Sequence, residues 1–199
     1  VLDVVFCAWI NESALSVEKK IELARNAIER YPNAWDVIAS KLPHGTSSIC
    51  STLNAPKYRK TDEPEVLYVH EVNKTYIEYL RMCVDTAHTD ADRWIKILQH
   101  IDSYDIKVQK EVFEKLVLIC KKMSDEEKIR IKNEIRYEIF RHRYFEDADW
   151  SMPQEVLCEY ECVMNKIVVC EKNYDYLYIF SHVYDFPLLN PVPYSKEEN

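Results

Sequence analysis

Apolar residues recur at spacings of three and four along most of the chain, which is the pattern of amphipathic helices. After Ser16, for example, Ile21, Ala24 and Ile28 fall on one helical face. No segment shows the sustained apolar–polar alternation that is typical of a half-buried strand. Beyond an apolar opening segment and a short helix capped by Thr89, the pattern predicts helices over 16–32, 34–43, 64–87, 106–123, 124–145, 152–168 and 174–183.

The signals between these helices are proline stops and polar caps. Pro32 and Pro43 each end a helix, and Ser124 followed by Glu127 forms a capping box. The helices group into antiparallel pairs of about 30–40 residues, the size of helical-repeat units. We therefore expect an all-α fold, either a divergent α-solenoid of the TPR or HEAT type or an irregular helical bundle. A single domain is expected over 1–190, followed by a polar tail over 191–199.

Glycine is almost absent, since Gly45 is the one glycine in 199 residues. Loops that cradle a phosphate or a dinucleotide, and the glycine-lined nucleophile elbow, need several glycines. The composition therefore argues against a self-sufficient enzyme and against a nucleotide cofactor, and we expect no cofactor and no metal.

The net charge of −8 argues against non-specific binding to nucleic acid, which depends on a basic surface. No apolar stretch approaches the length that spans a bilayer, so no membrane contact is expected. The seven cysteines include no CxxC pair, and Cys83, Cys120, Cys158 and Cys162 fit small buried residues in a reducing cytoplasm. The apolar start at Val1 fits a helix interior, which suggests a piece of a longer polypeptide.

The segment over 136–150, RYEIFRHRYFEDADW, is the most distinctive of the chain. Arg141, His142 and Arg143 end a helix, where positive charge complements the helix dipole. Asp147 and Asp149 follow within reach of the arginines, and Trp150 precedes the next helix. The pattern is typical of a structural corner held by arginine–carboxylate pairs; the alternative is an arginine site for a phosphate or an acidic peptide.

Three other sites remain open at this level. A small hydrolase could use His142, Asp147 and Asp149, and a zinc-stabilised module could use Cys158, Cys162 and Cys170 with a fourth ligand. The one long irregular stretch, 44–63, is a candidate recognition loop, since loops of this length are usually functional or packed. Its candidate residues are Gly45, Lys57, Tyr58 and Arg59.

Three segments carry a pattern that can be compared with known proteins, in this order along the chain: RYPNAWDVIASKLPHGTSSICSTLNAPKYR, HRYFEDADWSMPQEVL and YLYIFSHVYDFPLL. They resemble the helical C-terminal regions of very large bacterial proteins. Those proteins often carry an upstream AAA- or NACHT-type ATPase of the STAND class or a sirtuin-like effector domain, and many are thought to act in antiphage defence. Tyr178, Ile179 and Phe180 depart from the Trp-Leu-Phe that is usual in the third segment. The family's chemistry lies in other domains, so the resemblance transfers no catalytic or nucleotide-binding residue.

We therefore expect a non-enzymatic helical scaffold or sensor segment of a large bacterial protein. Its expected partners are other domains of the same polypeptide or a separate protein ligand. The expected contact surface combines the loop around Gly45 with the corner from Arg141 to Trp150.

Overall fold

The computed structural model describes residues 5–9, 15–43, 68–171 and 188–194. These residues contain seven α-helices, one short 3-10 helix and no β-strand, so the fold is all-α as the hydrophobic pattern predicts. The helices are α1 (Val17–Arg30), α2 (Ala34–Ala39), α3 (Val69–Thr86), α4 (Ala91–Leu98), the 3-10 helix (Ile101–Ser103), α5 (Ile106–Cys120), α6 (Asp125–Tyr144) and α7 (Gln154–Lys166).

The chain divides into two compact units, Val1–Thr86 and Ala87–Asn199. In the first unit, α1, α2 and α3 all pack on one another. In the second unit, α6 packs against both α4 and α7, and α7 also packs against α5. This is an irregular helical packing, and a single domain over 1–190 stays a prediction.

The core of the first unit is built around a buried tryptophan. Trp35 is 1% exposed, and its indole Nε1–H donates to the carbonyl of Cys83 over 3.1 Å. Lys20 is also buried, and its ammonium group donates to the carbonyl of Cys7 over 3.3 Å. Burial lowers the pKa of Lys20, because the charged form loses its hydration. Both polar side chains thus bind a backbone carbonyl, which is what allows them to lie in an apolar interior.

Side-chain caps begin α1 and α6, and the second of them is the capping box that the sequence predicts. The Ser16 hydroxyl accepts from the backbone of Lys19 at the start of α1. At the start of α6, Ser124 and Glu127 form the full capping box, each side chain binding the backbone N–H of the other. The capping box fixes where α6 begins and hence the register of the residues at its far end.

The turn before α4 has a residue other than glycine at a position of positive φ. His88 adopts a positive φ of 47°, the left-handed conformation that glycine usually supplies. Asp90 then caps α4 and accepts from two backbone N–H groups of the first turn. The prediction that Thr89 is this cap is wrong by one residue, because a carboxylate at position 90 has the capping geometry.

Helix α6 is polar over most of its surface but buries one narrow stripe. The buried residues lie three or four positions apart and include two titratable side chains: Ile131, Ile135, Glu138, Ile139 and His142. Glu138 and His142 lie in the core of the second unit, because they share a helix face with the three isoleucines.

The expectation that four cysteines are buried is half wrong. Cys83 and Cys120 are buried, whereas Cys158 and Cys162 are exposed on α7. The buried stripe of α7 consists of Leu157, Tyr160, Val163 and Met164, so the two thiols lie outside it.

No helix within the described residues combines the length and apolarity that crossing a membrane requires.

Candidate functional site at the end of helix α6

The last turn of α6 carries three consecutive side chains that bind three different parts of the second unit. Arg141 is the first of them, and its Nη2 group donates to Glu138 Oε2 over 2.8 Å and to Asp102 Oδ2 over 3.3 Å. Glu138 lies one turn earlier in α6, whereas Asp102 belongs to the 3-10 helix. Arg141 therefore joins these two elements by charge-assisted hydrogen bonds.

Glu138 is a buried acid, with a side chain only 7% exposed. Burial raises its pKa to about 7, because the carboxylate loses its hydration, while the charge of Arg141 acts in the opposite direction. Near neutral pH, Glu138 is therefore divided between its ionised and its neutral form.

His142 is fully buried, and its ring has one clear hydrogen bond. Its Nδ1 accepts from the backbone N–H of Met152 over 3.0 Å, so the neutral ring carries its proton on Nε2. Burial lowers the pKa of His142 to about 4, and the neighbouring charge of Arg141 acts in the same direction. The backbone carbonyl of His142 also accepts from Ser151 Oγ over 2.8 Å. Through these two hydrogen bonds, to Met152 and Ser151, the neutral His142 holds the segment that follows α6 against the end of the helix.

Arg143 faces a third direction. Its Nη1 group lies 2.7 Å from Glu161 Oε1 on α7, 2.7 Å from the carbonyl oxygen of Leu189 and 2.9 Å from Asn190 Oδ1. One guanidinium group therefore joins α6, α7 and the segment over 188–194.

A metal ion would find possible ligands here, but the position is already taken by a cation. Asp102, Glu138 and His142 form the one group of three potential ligands that lie within 4.8 Å of one another in the described residues. Arg141 Nη2 lies within 3.3 Å of an atom of each. Moreover, His142 Nε2 carries a proton and offers no lone pair while Nδ1 accepts from Met152. The two carboxylates, Asp102 and Glu138, are suited to holding a guanidinium group.

Aromatic rings cover this network on the outside. Phe145 and Trp150 lie with ring centroids 5.9 Å apart, and Tyr194 lies 5.9 Å from Phe145. Tyr144 completes the group at 4.8 Å from Phe145. Phe145, Trp150 and Tyr194 are 38%, 48% and 38% exposed, which is high for rings that pack on one another. We call these four residues the aromatic patch.

The patch rests on the polar network below it. The guanidinium carbon of Arg141 lies 5.2 Å from the centroid of the Trp150 ring, and the His142 ring meets Trp150 edge-on at 5.3 Å. The backbone N–H of Tyr194 donates to the carbonyl of Tyr144 over 2.7 Å. The rings are therefore held in place from beneath while their outer surfaces face solvent.

The arginine–aspartate pairing expected at this corner has different partners in the structure. Arg141 and Arg143 bind Asp102, Glu138 and Glu161, whereas Asp147 and Asp149 are exposed and form no ion pair with a described residue. The sequence predicted the nearest carboxylates as partners of the arginines, but both arginines point from α6 toward the interior of the second unit. Because Arg141 and Arg143 are already bound to carboxylates, neither is available to bind a phosphate or an acidic peptide, which was the alternative function for this corner.

The other candidate residues are placed as follows. His142, Asp147 and Asp149 do not come together, because His142 is buried and both aspartates are exposed. Cys158, Cys162 and Cys170 are exposed free thiols that form no group of potential ligands in the described parts of the chain. The candidate loop residues Gly45, Lys57, Tyr58 and Arg59 lie outside the described residues, as does the expected helix over 174–183.

The sequence analysis missed three carboxylates of this site, Asp102, Glu138 and Glu161, and it placed Tyr194 of the aromatic patch in a polar tail. Glu138 left a signal, since it lies three residues after Ile135 and four before His142 and so continues the apolar stripe of α6. No sequence signal indicates Asp102, because its contact with Arg141 joins residues that are 39 positions apart.

A separate groove of about 520 Å³ lies between α5 and α7. Its apolar lining comes from Phe113, Val117, Leu118 and Val163. Lys110 and Glu159 also line it and form an ion pair of 3.0 Å. None of the candidate residues lines this groove.

Comparison of the chain with protein-family models, curated proteins and solved structures gives no match.

Proposed function

We propose that the chain is a non-enzymatic helical scaffold of a larger bacterial polypeptide, and that its aromatic patch contacts another protein, either a neighbouring domain or a separate ligand. The observation that carries this proposal is the exposure of Phe145, Trp150 and Tyr194 above a network of paired charges. The resemblance of 142–157 to the helical regions of multidomain proteins supports the same role.

Exposed aromatic residues of this kind are typical of binding surfaces. Tyrosine, tryptophan and phenylalanine are enriched at protein interfaces, and tryptophan and tyrosine dominate among the residues that carry most of the binding energy. A surface held rigid before binding loses less conformational entropy on association. The support of Trp150 by Arg141 and His142 therefore favours a contact surface over a purely structural corner.

Site-specific photocrosslinking tests this role. Benzoylphenylalanine is placed at Phe145 in the complete natural polypeptide, in the cells that produce it, and crosslinked peptides are identified by mass spectrometry. A matched variant carries the same group at Val168, an apolar residue of the same unit that is 70% exposed.

The proposal requires crosslinks from position 145 that map to one defined protein segment and are absent from position 168. Absence of crosslinks at position 145 in a folded polypeptide, or the same crosslinks at both positions, refutes it.

A further inference from the structure

The carboxylates that surround the aromatic patch decide what kind of protein segment it fits. Glu146, Asp147 and Asp149 are exposed, lie in the same turn as Phe145 and Trp150, and form no ion pair with a described residue. The arginines of this corner cannot neutralise them, since Arg141 and Arg143 are bound to the inner carboxylates. The two arginines of the corner are thus paired inside the unit, and three carboxylates are exposed beside the aromatic rings.

Rings and carboxylates together are complementary to arginine and lysine. A guanidinium or ammonium group is attracted to the face of an aromatic ring, most strongly to tryptophan, and gains further from a carboxylate nearby. Trp150 already receives one guanidinium group, that of Arg141, with its carbon 5.2 Å from the ring centroid. Almost half of the Trp150 side chain remains exposed beyond that contact.

Building on the proposed function, we propose that the aromatic patch binds an arginine- or lysine-rich segment of the partner protein. An acidic or phosphorylated segment would meet three carboxylates and no free arginine of this corner, and like charges at an interface disfavour binding. An apolar segment would leave those carboxylates partly desolvated without a counter-charge, which also costs free energy.

The geometry of the turn favours binding without rearrangement. The backbone of Ala148 donates to the carbonyl of Phe145 over 3.0 Å, and that of Ser151 donates to the carbonyl of Ala148 over 2.8 Å. These successive hydrogen bonds fix the turn that carries the three carboxylates. A basic segment would therefore meet rings and charges in positions that are already set.

Titration with defined peptides tests this charge preference. Octa-arginine and octa-glutamate are added to the protein, and the fluorescence of Trp150 is followed, with a Trp150→Phe variant to identify its signal. Because Trp35 and Trp94 are buried and Trp9 is half-buried, Trp150 is the most exposed tryptophan of the described residues. We expect octa-arginine to change this signal at moderate ionic strength and octa-glutamate to leave it unchanged.

Two matched charge variants separate a local site from general attraction to an acidic protein. The corner variant is Glu146→Gln, Asp147→Asn and Asp149→Asn. The control variant removes the same three charges elsewhere, at Glu22, Glu29 and Glu126, which are also exposed and form no ion pair with a described residue. Each exposed ion pair contributes little by itself, so the loss of all three charges in the corner variant should weaken binding about tenfold, and the control should weaken it less than threefold.

Equal weakening by both variants, or no weakening by the corner variant, overturns the inference. The sequence of the peptide crosslinked at position 145 tests the charge preference independently of the titration. A partner segment without arginine or lysine contradicts the charge preference but leaves the scaffold role intact, whereas the absence of any crosslink contradicts the scaffold role itself.

Discussion

Replacing Glu138 with glutamine tests whether the network under the aromatic patch is buried as the structure places it. Glu138 has its pKa raised from 4.5 to about 7, so the folded protein holds this proton at pH values where the unfolded chain has lost it. Its contribution to stability is therefore full below pH 4.5 and is lost as the pH rises to about 7. Glutamine cannot ionise, so the variant should become more stable relative to the wild type as the pH rises.

The magnitude follows from the size of the pKa shift. One pKa unit corresponds to about 1.4 kcal/mol, so the difference in unfolding free energy between variant and wild type should rise by about 3 kcal/mol from pH 4 to pH 8. His142 shows the opposite behaviour, because its pKa is lowered from 6.5 to about 4 and its contribution is lost as the pH falls through that range. The two contributions oppose each other between about pH 4.5 and 6.5, so the wild type alone would hide both.

Urea denaturation followed by circular dichroism, at pH values from 4 to 8, measures this difference directly. Taking variant minus wild type isolates the contribution of Glu138 together with its coupling to His142, whose Nε2 lies 3.7 Å from Glu138 Oε2. Glu126→Gln serves as the control, since this exposed glutamate lies on the same helix and should give a difference that is constant to about 0.5 kcal/mol. A constant difference for Glu138→Gln as well would mean that the pKa of Glu138 stays near 4.5 in the folded protein, and the conclusion that burial outweighs the charge of Arg141 would be wrong.

Three further substitutions test the fold by the same denaturation assay. Ser124→Ala removes one half of the capping box with Glu127 and should lower the unfolding free energy by about 1 kcal/mol, so an unchanged value would contradict that cap. Tyr160→Phe should instead be neutral or stabilising by about 1 kcal/mol, because the buried Tyr160 hydroxyl has no hydrogen-bond partner among the described residues; a loss above about 1 kcal/mol would reveal one. Trp35→Phe leaves the Cys83 carbonyl without its indole donor and should cost about 2 kcal/mol or more, whereas a loss below about 0.5 kcal/mol would place Trp35 outside the core.

The helices of this chain could be predicted from local signals, because those signals act within a few residues. The capping box of Ser124 and Glu127 and the periodicity of α6 are complete in the sequence, and both are found in the structure. Spacing alone would also place Val69, three positions before Val72, on a buried stripe of α3, yet Val69 is 78% exposed. Periodicity indicates which residues share a face, but which part of that face is covered depends on the neighbouring helices.

The partners of the site could not be predicted in the same way. Three consecutive residues on a helix point in directions about 100° apart, so Arg141, His142 and Arg143 cannot all bind the turn that follows them. Their actual partners include Asp102 and Glu161, which are distant in sequence and become neighbours when the helices pack. Asp147 and Asp149 are predicted as partners of the arginines only because they lie nearest to them in the sequence.

The exchange of partners also changes what the corner can do. If Arg141 and Arg143 bound Asp147 and Asp149, the charges of this turn would cancel and the rings would cover a neutral joint. Because the arginines bind inner carboxylates instead, the outer ones keep their charge beside Trp150. The inward pairing that stabilises the end of α6 thus creates an acidic, aromatic surface, and a substitution that weakens the inner network should weaken cation binding at the patch as well. Asp102→Asn offers that link, since it removes a charge that holds Arg141 beneath Trp150 without touching any exposed residue of the patch.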